Sequence, residues 1–159
     1  MIARVAATLL VAGLAACQPT NGSAGGNASA LERSPAGLEQ LALKITAADG
    51  RIHRFTVEVA RTPDQQARGL MNRESLAPDR GMIFPYDPPV VASFWMKNTL
   101  IPLDIIFIRA DGTIASIEAN TVPLSLDPVA SAVPVATVLE LAGGRSAELG
   151  IVPGAKVEW

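Results

Sequence analysis

The chain has 159 residues, of which 49% are hydrophobic and 4% aromatic, with a formal net charge of −2 and one cysteine. This length suffices for one domain with one hydrophobic core. The mild charge, without a basic stripe, argues against nucleic acid as a partner and against binding to anionic lipid by charge. The single cysteine excludes an internal disulfide.

Residues 1–16 have the layout of a secretory signal peptide. A basic start that ends at Arg4 precedes the apolar run Val5–Ala12, which is shorter than the roughly 20 apolar residues of a spanning helix. Small residues then stand directly before Cys17. This arrangement resembles a bacterial lipobox, so we expect Cys17 to be lipidated and to anchor the protein in the membrane. The alternative is an ordinary signal peptide cut nearby, which leaves a free thiol.

Residues 17–40 are predicted to form a flexible tether. The stretch rich in Gly, Ser and Asn that follows Cys17 cannot bury enough apolar surface to order itself. Some twenty such residues reach on the order of 25 Å from the bilayer. Gln18, rather than an aspartate, favours the outer membrane, with the domain on the periplasmic face of the cell envelope. The chain is thus divided into a signal peptide (1–16), the lipidated tether and a β-rich domain (41–159).

Eight segments of the domain show alternating or short apolar patterns typical of strands: Leu41–Thr46, Arg51–Ala60, Gly81–Phe84, Val91–Lys97, Leu103–Arg109, Thr113–Thr121, Val135–Leu141 and Lys156–Trp159. Asp49–Gly50 and Asp111–Gly112 mark hairpins. Two short helices are predicted, from an N-cap at Thr62 to Met71 and over Ser146–Leu149. These elements predict a mainly β, single-domain fold, either a β-sandwich of jelly-roll type or a partly closed barrel.

Two connections and the C-terminal residue complete this prediction. Asp87–Pro89 is expected to be a loop, as is Pro123–Pro134, which is long enough to act as a lid or binding loop. Trp159 is expected to pack on the core.

Residue types that carry common catalytic chemistry are scarce. His53, the one histidine of the sequence, lies in a strand pattern beside apolar neighbours, which is typical of an ordinary sheet residue. The acidic residues lack metal-ligand spacing, so we predict no metal and no cofactor. The sequence has no Gly-x-Ser-x-Gly motif, and its serines have no nearby candidate base.

The most informative segment is Phe94–Ile105, because it places polar residues among large apolar ones. It contains Trp95, Lys97, Asn98 and Asp104. Burying such polar groups without partners costs several kcal/mol, so they must find partners. The segment therefore predicts either a structural network centred on Lys97, Asn98 and Asp104 or a binding site.

Three further residues extend this candidate site. Arg68 and Arg73 offer planar guanidinium groups to a carboxylate, and Glu140, like Asp104, lies inside an apolar strand. Nearby methionines and aromatic residues could form an adaptable apolar wall. Structural ion pairs among these groups remain an open alternative to ligand binding. The candidate ligand-binding residues are Arg68, Arg73, Trp95, Lys97, Asn98, Asp104 and Glu140.

Five ordered groups of residues also carry a family resemblance: Arg68–Met71, Gly81–Phe84, Phe94–Thr99 with Ile101–Ile105, Val138–Leu141, and Gly150–Ile151 with Pro153–Gly154. Together they resemble the family named "domain of unknown function 192". The resemblance covers about Leu41–Trp159. It implies a compact β-rich domain of sandwich or jelly-roll type, often behind a signal peptide, and it implies no particular reaction.

These observations lead us to expect a non-catalytic envelope lipoprotein whose β-domain binds a small molecule, a glycan or an envelope protein. The alternative is a hydrolase that acts on envelope polysaccharide through Asp104 and Glu140, one of them with a raised pKa. In such an enzyme the two carboxyl groups would stand about 5–5.5 Å or about 6.5–9.5 Å apart.

Overall fold

The computed structural model describes residues 33–159. The predicted signal peptide, the lipidation site Cys17 and most of the tether lie outside these residues. Within 33–159 the fold is mainly β, as the sequence predicts, with nine strands and two short helices. Neither of these two helices is long and apolar enough to cross a membrane.

The strands form one large sheet and one small one. The elements are β1 (Gln40–Thr46), β2 (Ile52–Val59), α1 (Pro63–Arg68), β3 (Arg80–Val90), β4 (Ser93–Phe94), β5 (Leu103–Ile108), β6 (Ile114–Glu118), β7 (Val129–Ala130), β8 (Val135–Ala142), α2 (Arg145–Glu148) and β9 (Lys156–Glu158). Seven strands pair in the order β6-β5-β8-β3-β2-β1-β9, while β4 pairs with β7. Strands β2 and β3 are parallel, because the connection that contains α1 crosses between them.

Helix α1 begins where the sequence predicts. The Thr62 hydroxyl accepts a hydrogen bond from the Gln65 N–H at 3.2 Å, and the Gln65 side chain accepts one from the Thr62 N–H at 3.0 Å. This reciprocal capping box satisfies two N–H groups that the helix itself leaves unpaired. The helix ends at Gly69, whose φ of 48° lies in the region that favours glycine, so it stops short of the predicted Met71.

The seven-stranded sheet curls into a half-barrel whose two edge strands meet. The Val157 N–H donates to the Gly112 carbonyl at 2.8 Å, and the Ile114 N–H donates to the Ala155 carbonyl at 2.9 Å. Thr113 and Lys156 form an isolated bridge at the same seam. Of the two predicted architectures, the partly closed barrel therefore describes this sheet.

The central strands β3, β8 and β5 bury both of their faces, because successive side chains of a strand point in opposite directions. One face contributes to an inner core within the curled sheet, which includes Leu43, Ile45, Val57, Ile83, Ile106, Leu139 and Leu141. The other face contributes to an outer core, which includes Leu70, Met82, Phe84, Met96, Ile105, Phe107 and Val138. The segments that carry α1 and β4 cover the outer core, and this double layer positions the site described below.

Several local predictions were wrong. Only Ser93–Phe94 of the predicted strand Val91–Lys97 pairs with another strand, because its partner is the two-residue strand β7 from the long loop. Strand β3 continues through the predicted loop Asp87–Pro89 to Val90, with a break in register after Pro85. Trp159 does not pack on the core and is 51% exposed.

The end of the predicted tether contacts the sheet. Ser34 is buried, and the Val59 N–H donates to the Glu39 carbonyl at 2.9 Å. The Glu39 carboxylate also pairs with Arg61 at 2.9 Å. The packed part of the chain therefore includes residues that the composition alone assigns to the tether.

Candidate functional site

A cavity of about 250 Å³ lies beside the outer core. Its lining comes from α1 and the turn that follows, from β3 and β8, and from β4 with the loop after it. Three of the seven predicted site residues, Arg68, Trp95 and Glu140, contribute to this lining. The structure thus brings together residues that are distant in the sequence, and we refer to this space as the Glu140 cavity.

Glu140 is a buried acid whose carboxyl group is incompletely paired. Its side chain lies on β8 between Met82 of β3 and Ile105 of β5, which are its partners in the sheet. Among residues 33–159, no group forms a hydrogen bond with its Oε2 atom. Burial raises the pKa of Glu140 to about 8, although the nearby Arg73 guanidinium partly opposes this change. At neutral pH the group is therefore mostly protonated and able to donate a hydrogen bond.

Asp104 is also buried, but both oxygens of its carboxylate accept hydrogen bonds from backbone groups. Its Oδ1 accepts hydrogen bonds from the N–H groups of Asn120 and Gly144, each at 2.8 Å, and its Oδ2 accepts one from Ser146 at 2.7 Å. Gly144 is the N-cap of α2 and has no side chain to cap the helix. The carboxylate of Asp104 therefore caps α2 from a neighbouring strand, which is a structural role.

Asp104 and Glu140 lie on opposite faces of the sheet. Asp104 is paired with Leu141, which belongs to the inner core, whereas Glu140 is paired with Ile105, which belongs to the outer core. Because paired residues on adjacent strands share a face, the two carboxyl groups point away from each other. The predicted convergence of Asp104 and Glu140 is therefore not found, and Asp104 is not part of the cavity.

The aromatic wall of the cavity is built on β3 and β4. The rings of Phe84 and Phe94 meet edge to face, with centroids 5.0 Å apart. Tyr86 lies two residues beyond Phe84 on β3 and also lines the cavity. Burial raises the pKa of Tyr86, as does the charge of Glu140, so its phenol stays protonated at neutral pH.

Two positively charged side chains, those of Arg68 and Lys97, lie near the entrance of the Glu140 cavity. The Arg68 side chain forms no ion pair or hydrogen bond with any residue in the described range 33–159. Lys97 places its Nζ atom 5.0 Å from the centre of the Trp95 ring, a favourable cation–π distance. Trp95 is half-exposed and lines the cavity, so Lys97 lies beside the entrance without contributing to the lining.

Asn98 connects the two segments that border the cavity. Its carbonyl accepts a hydrogen bond from the Asn72 N–H at 2.8 Å, and its side-chain Nδ2 lies 3.9 Å from the Met71 sulfur. Its φ of 55° falls in the left-handed region that asparagine tolerates better than most residues. Asn98 therefore holds the loop after β4 against the turn after α1. The predicted network of Lys97, Asn98 and Asp104 does not form, because Asp104 lies on the other face of the sheet.

Arg73 has a structural partner. Its guanidinium group makes two hydrogen bonds to the buried Glu58 carboxylate, at 3.0 Å and 2.5 Å. Both residues line a second cavity of about 350 Å³ next to β2. Of the two arginines in the predicted site, Arg68 is thus the one left available to an external ligand.

The sequence prediction missed Tyr86, Ser93 and Gln66, which also line the Glu140 cavity. Strand alternation offered one signal, because Tyr86 shares a face with Met82 and Phe84 on β3. No comparable signal exists for Ser93 or Gln66, because their positions depend on how β4 and α1 fold over the sheet.

Comparisons with known proteins agree with the family resemblance. The family model DUF192, described as "Uncharacterized ACR", matches residues 44–159. A protein of unknown function from Novosphingobium aromaticivorans is 46% identical, with a TM-score of 0.79 over 84% of this chain and 94% of its own. A protein from Sinorhizobium meliloti, described as a candidate transcription regulator, is 44% identical, with a TM-score of 0.75 over 76% of this chain and 94% of its own. The search of curated proteins gave no match.

Proposed function

We propose that this chain, which belongs to the DUF192 family, is a non-catalytic envelope lipoprotein. Its ligand, a small molecule or the terminal unit of a glycan, binds in the Glu140 cavity. One observation carries the proposal. One cavity brings together an aromatic wall, an arginine and a buried carboxyl oxygen, and neither of these two polar groups has a partner among residues 33–159. A concave apolar site with a few convergent polar groups is the usual form of a ligand site.

The unpartnered oxygen of Glu140 supports binding more strongly than the cavity volume does. Leaving a buried polar atom without a hydrogen bond costs about 1–3 kcal/mol, which an apolar side chain at this position would avoid. A ligand that accepts a hydrogen bond from the protonated carboxyl group would remove this cost. Perturbed carboxyl groups in clefts are accordingly candidates for functional groups.

The hydrolase alternative loses its chemical basis in this geometry. A glycosidase requires two carboxyl groups on either side of the scissile bond. Asp104 accepts three backbone hydrogen bonds on the opposite face of the sheet, and Glu140 is the one acid in the lining of the cavity within the described residues. We therefore do not propose this reaction.

The description of the Sinorhizobium protein as a candidate transcription regulator is not carried over to this chain. Binding to DNA depends largely on lysine and arginine contacts with phosphates. A formal net charge of −2 without a basic stripe does not favour such contacts.

A ligand screen with a blocked cavity tests the binding proposal. Ala67 is exposed and lines the cavity, so Ala67→Trp should fill the entrance with little effect on the core. Ala48→Trp, in the exposed turn of the first hairpin, is the matched control. Among small molecules and glycan fragments of the envelope, at least one should raise the melting temperature of the wild type and the control but not of Ala67→Trp. A screen in which no compound separates the two variants would contradict the proposal.

The lipid anchor needs its own experiment, because Cys17 lies outside the described residues. Cells that express the chain are grown with radioactive palmitate, and the wild type is compared with Cys17→Ser. Labelling of the wild type alone, in the outer-membrane fraction, is expected. Equal labelling of both proteins would contradict the anchor.

A further inference from the structure

The charges around the Glu140 cavity separate the possible classes of ligand. This inference rests on the proposed function and specifies its class of ligand. Arg68 lines the cavity without a partner in the described part of the chain, and Lys97 adds a second positive charge beside the Trp95 ring. Burial holds Glu140 mostly neutral at pH 7. A cationic ligand would therefore meet two positive charges at the entrance, whereas an anionic ligand would be attracted by both.

The lining of the cavity combines aromatic surface with hydrogen-bonding groups. Phe94 and Trp95 contribute aromatic surface, whereas Tyr86, Ser93 and Glu140 contribute hydroxyl and carboxyl groups. A sugar ring shows the same division, because it has C–H faces and hydroxyl edges. The volume of about 250 Å³ corresponds to about eight water molecules and falls just below the range for drug-sized ligands. The cavity therefore has room for one ring.

We propose that the Glu140 cavity binds the ring of a sugar acid. The carboxylate of the ligand pairs with the Arg68 guanidinium, the ring packs on Trp95, and the Glu140 carboxyl donates a hydrogen bond to a ring oxygen. A groove of about 910 Å³ adjoins the cavity and shares four lining residues with it, Ala67, Arg68, Gly69 and Met71. This groove has room for the next units when the sugar acid is the end of a glycan.

The protonation of Glu140 makes binding dependent on pH. The charged and titratable groups around it are Arg68 and Arg73, the Glu58 carboxylate that is paired with Arg73, and the phenol of Tyr86. Burial and the charge of Glu140 raise the pKa of Tyr86, so this phenol stays neutral while Glu140 ionises. Above pH 8 a negative charge develops beside the bound carboxylate. Affinity for a sugar acid should therefore fall above pH 8, while affinity for a neutral sugar should change less.

The probes are D-glucuronate and D-glucose, which have similar rings and differ in the carboxylate. The full chain is labelled with ¹⁵N, and the two tryptophan indole signals are followed by NMR at pH 7. Glucuronate should shift the Trp95 signal with a Kd at least tenfold lower than that of glucose. Trp159 follows β9 and does not line the cavity, so its signal is an internal control that should not move.

Two arginine variants test the charge contact. Arg68→Gln should raise the Kd for glucuronate about tenfold, which corresponds to about 1.4 kcal/mol, because it removes a charge-assisted hydrogen bond. It should raise the Kd for glucose less, because glucose has no carboxylate to pair with the guanidinium group. Arg54→Gln removes the same charge at an exposed position of β2 outside the cavity and should change neither Kd. Equal effects of the two variants, or equal affinity for both sugars, would overturn the sugar-acid proposal.

Two further probes test whether the ligand is a free sugar acid, the end of a glycan or a carboxylate without a sugar ring. An oligosaccharide that ends in glucuronate should bind more tightly than free glucuronate if the groove holds further glycan units, and equally tightly if the ligand is a free sugar acid. Benzoate has a ring and a carboxylate but no ring hydroxyl groups, and its binding as tightly as glucuronate would overturn the assignment to a sugar. If no probe shifts the Trp95 signal, the sugar-acid proposal fails. The broader proposal of ligand binding fails only if the Ala67→Trp screen also finds no ligand.

Discussion

Asp104 on β5 and Glu140 on β8 are buried acids on adjacent strands. Glu140 pairs with Ile105, the residue after Asp104, and the two acids have different roles. Asp104 receives three backbone hydrogen bonds at the end of the inner core. Glu140 faces the outer core with one oxygen unpartnered among the described residues, and burial raises its pKa to about 8. Burial alone therefore does not identify a functional acid. The number of hydrogen-bond donors that meet the carboxyl group separates a structural role from a candidate binding role.

Replacing Asp104 should have the largest effect. Asp104→Ala leaves three N–H groups without their acceptor, one in a buried and two in part-buried positions, and an unsatisfied buried group costs about 1–3 kcal/mol. We expect the free energy of unfolding to fall by on the order of 4 kcal/mol or more, measured by urea denaturation. Asp104→Asn keeps the size and one acceptor oxygen, so it should lose less. A loss below about 1 kcal/mol for Asp104→Ala would contradict the structural role of Asp104.

Arg73 and Glu58 extend the comparison to a third buried acid, which has a side-chain partner. Arg73→Ala leaves the Glu58 carboxylate, only 8% exposed, without its two hydrogen bonds. We expect a loss of about 2 kcal/mol, because the pair is partly buried. A double-mutant cycle with Glu58→Ala should give a coupling energy of about 1–2 kcal/mol. Additive effects of the two changes would contradict the pairing.

Arg73→Ala also tests how Arg73 affects the pKa of Glu140. The Arg73 guanidinium is the group that partly lowers the pKa of Glu140 against the effect of burial. Arg73→Ala should therefore raise the pKa of Glu140 further, as measured by ¹³C NMR of the carboxyl carbon. Lys156→Ala removes a positive charge at the seam, away from the cavity, and should leave this pKa unchanged.

Glu140 should make stability depend on pH. Its folded-state pKa of about 8 exceeds the ordinary value of 4.5, so between these values the folded state retains a proton that the unfolded state has lost. Stability should thus fall as the pH rises from about 4.5 to about 8, by at most about 1.4 kcal/mol per unit, and level off above pH 8. Glutamine does not titrate, so Glu140→Gln should remove this slope, and its stability relative to the wild type should increase as the pH rises from about 4.5 to about 8. An unchanged slope in the variant would show that another group titrates.

Lys97 should have the smallest effect. Its ammonium group is exposed above the Trp95 ring, and an exposed cation–π contact contributes about 0.5–1 kcal/mol. Lys97→Ala should therefore lower the melting temperature by only a few degrees. A collapse of the fold on this substitution would place Lys97 in the structural group with Asp104.

Much of the fold could be predicted from local pattern. The hairpin at Asp49–Gly50 and the N-cap at Thr62 form as predicted, because turn and cap chemistry act over a few residues. The parallel pairing of β2 with β3 and the two-residue strand β4 could not be predicted. Both depend on contacts between segments that are distant in the sequence.

The site was predicted in composition but not in arrangement. Arg68, Trp95 and Glu140 were expected to matter and do share a cavity. Asp104 was grouped with them because it interrupts an apolar run. Its three donors come from residues 120, 144 and 146, and no sequence spacing indicates that they meet it. The face on which an acid lies follows from strand register, which a single sequence specifies weakly.

The seam between the two edge strands has a consequence for self-association. An open seven-stranded sheet would present unpaired N–H and C=O groups along two strands, and such edges recruit strands from other molecules. Here the three-residue strand β9 and the turn at Gly112 pair some of these groups within the chain. The last few residues of the described chain thus help to keep neighbouring copies apart. This protection matters most where copies are crowded together.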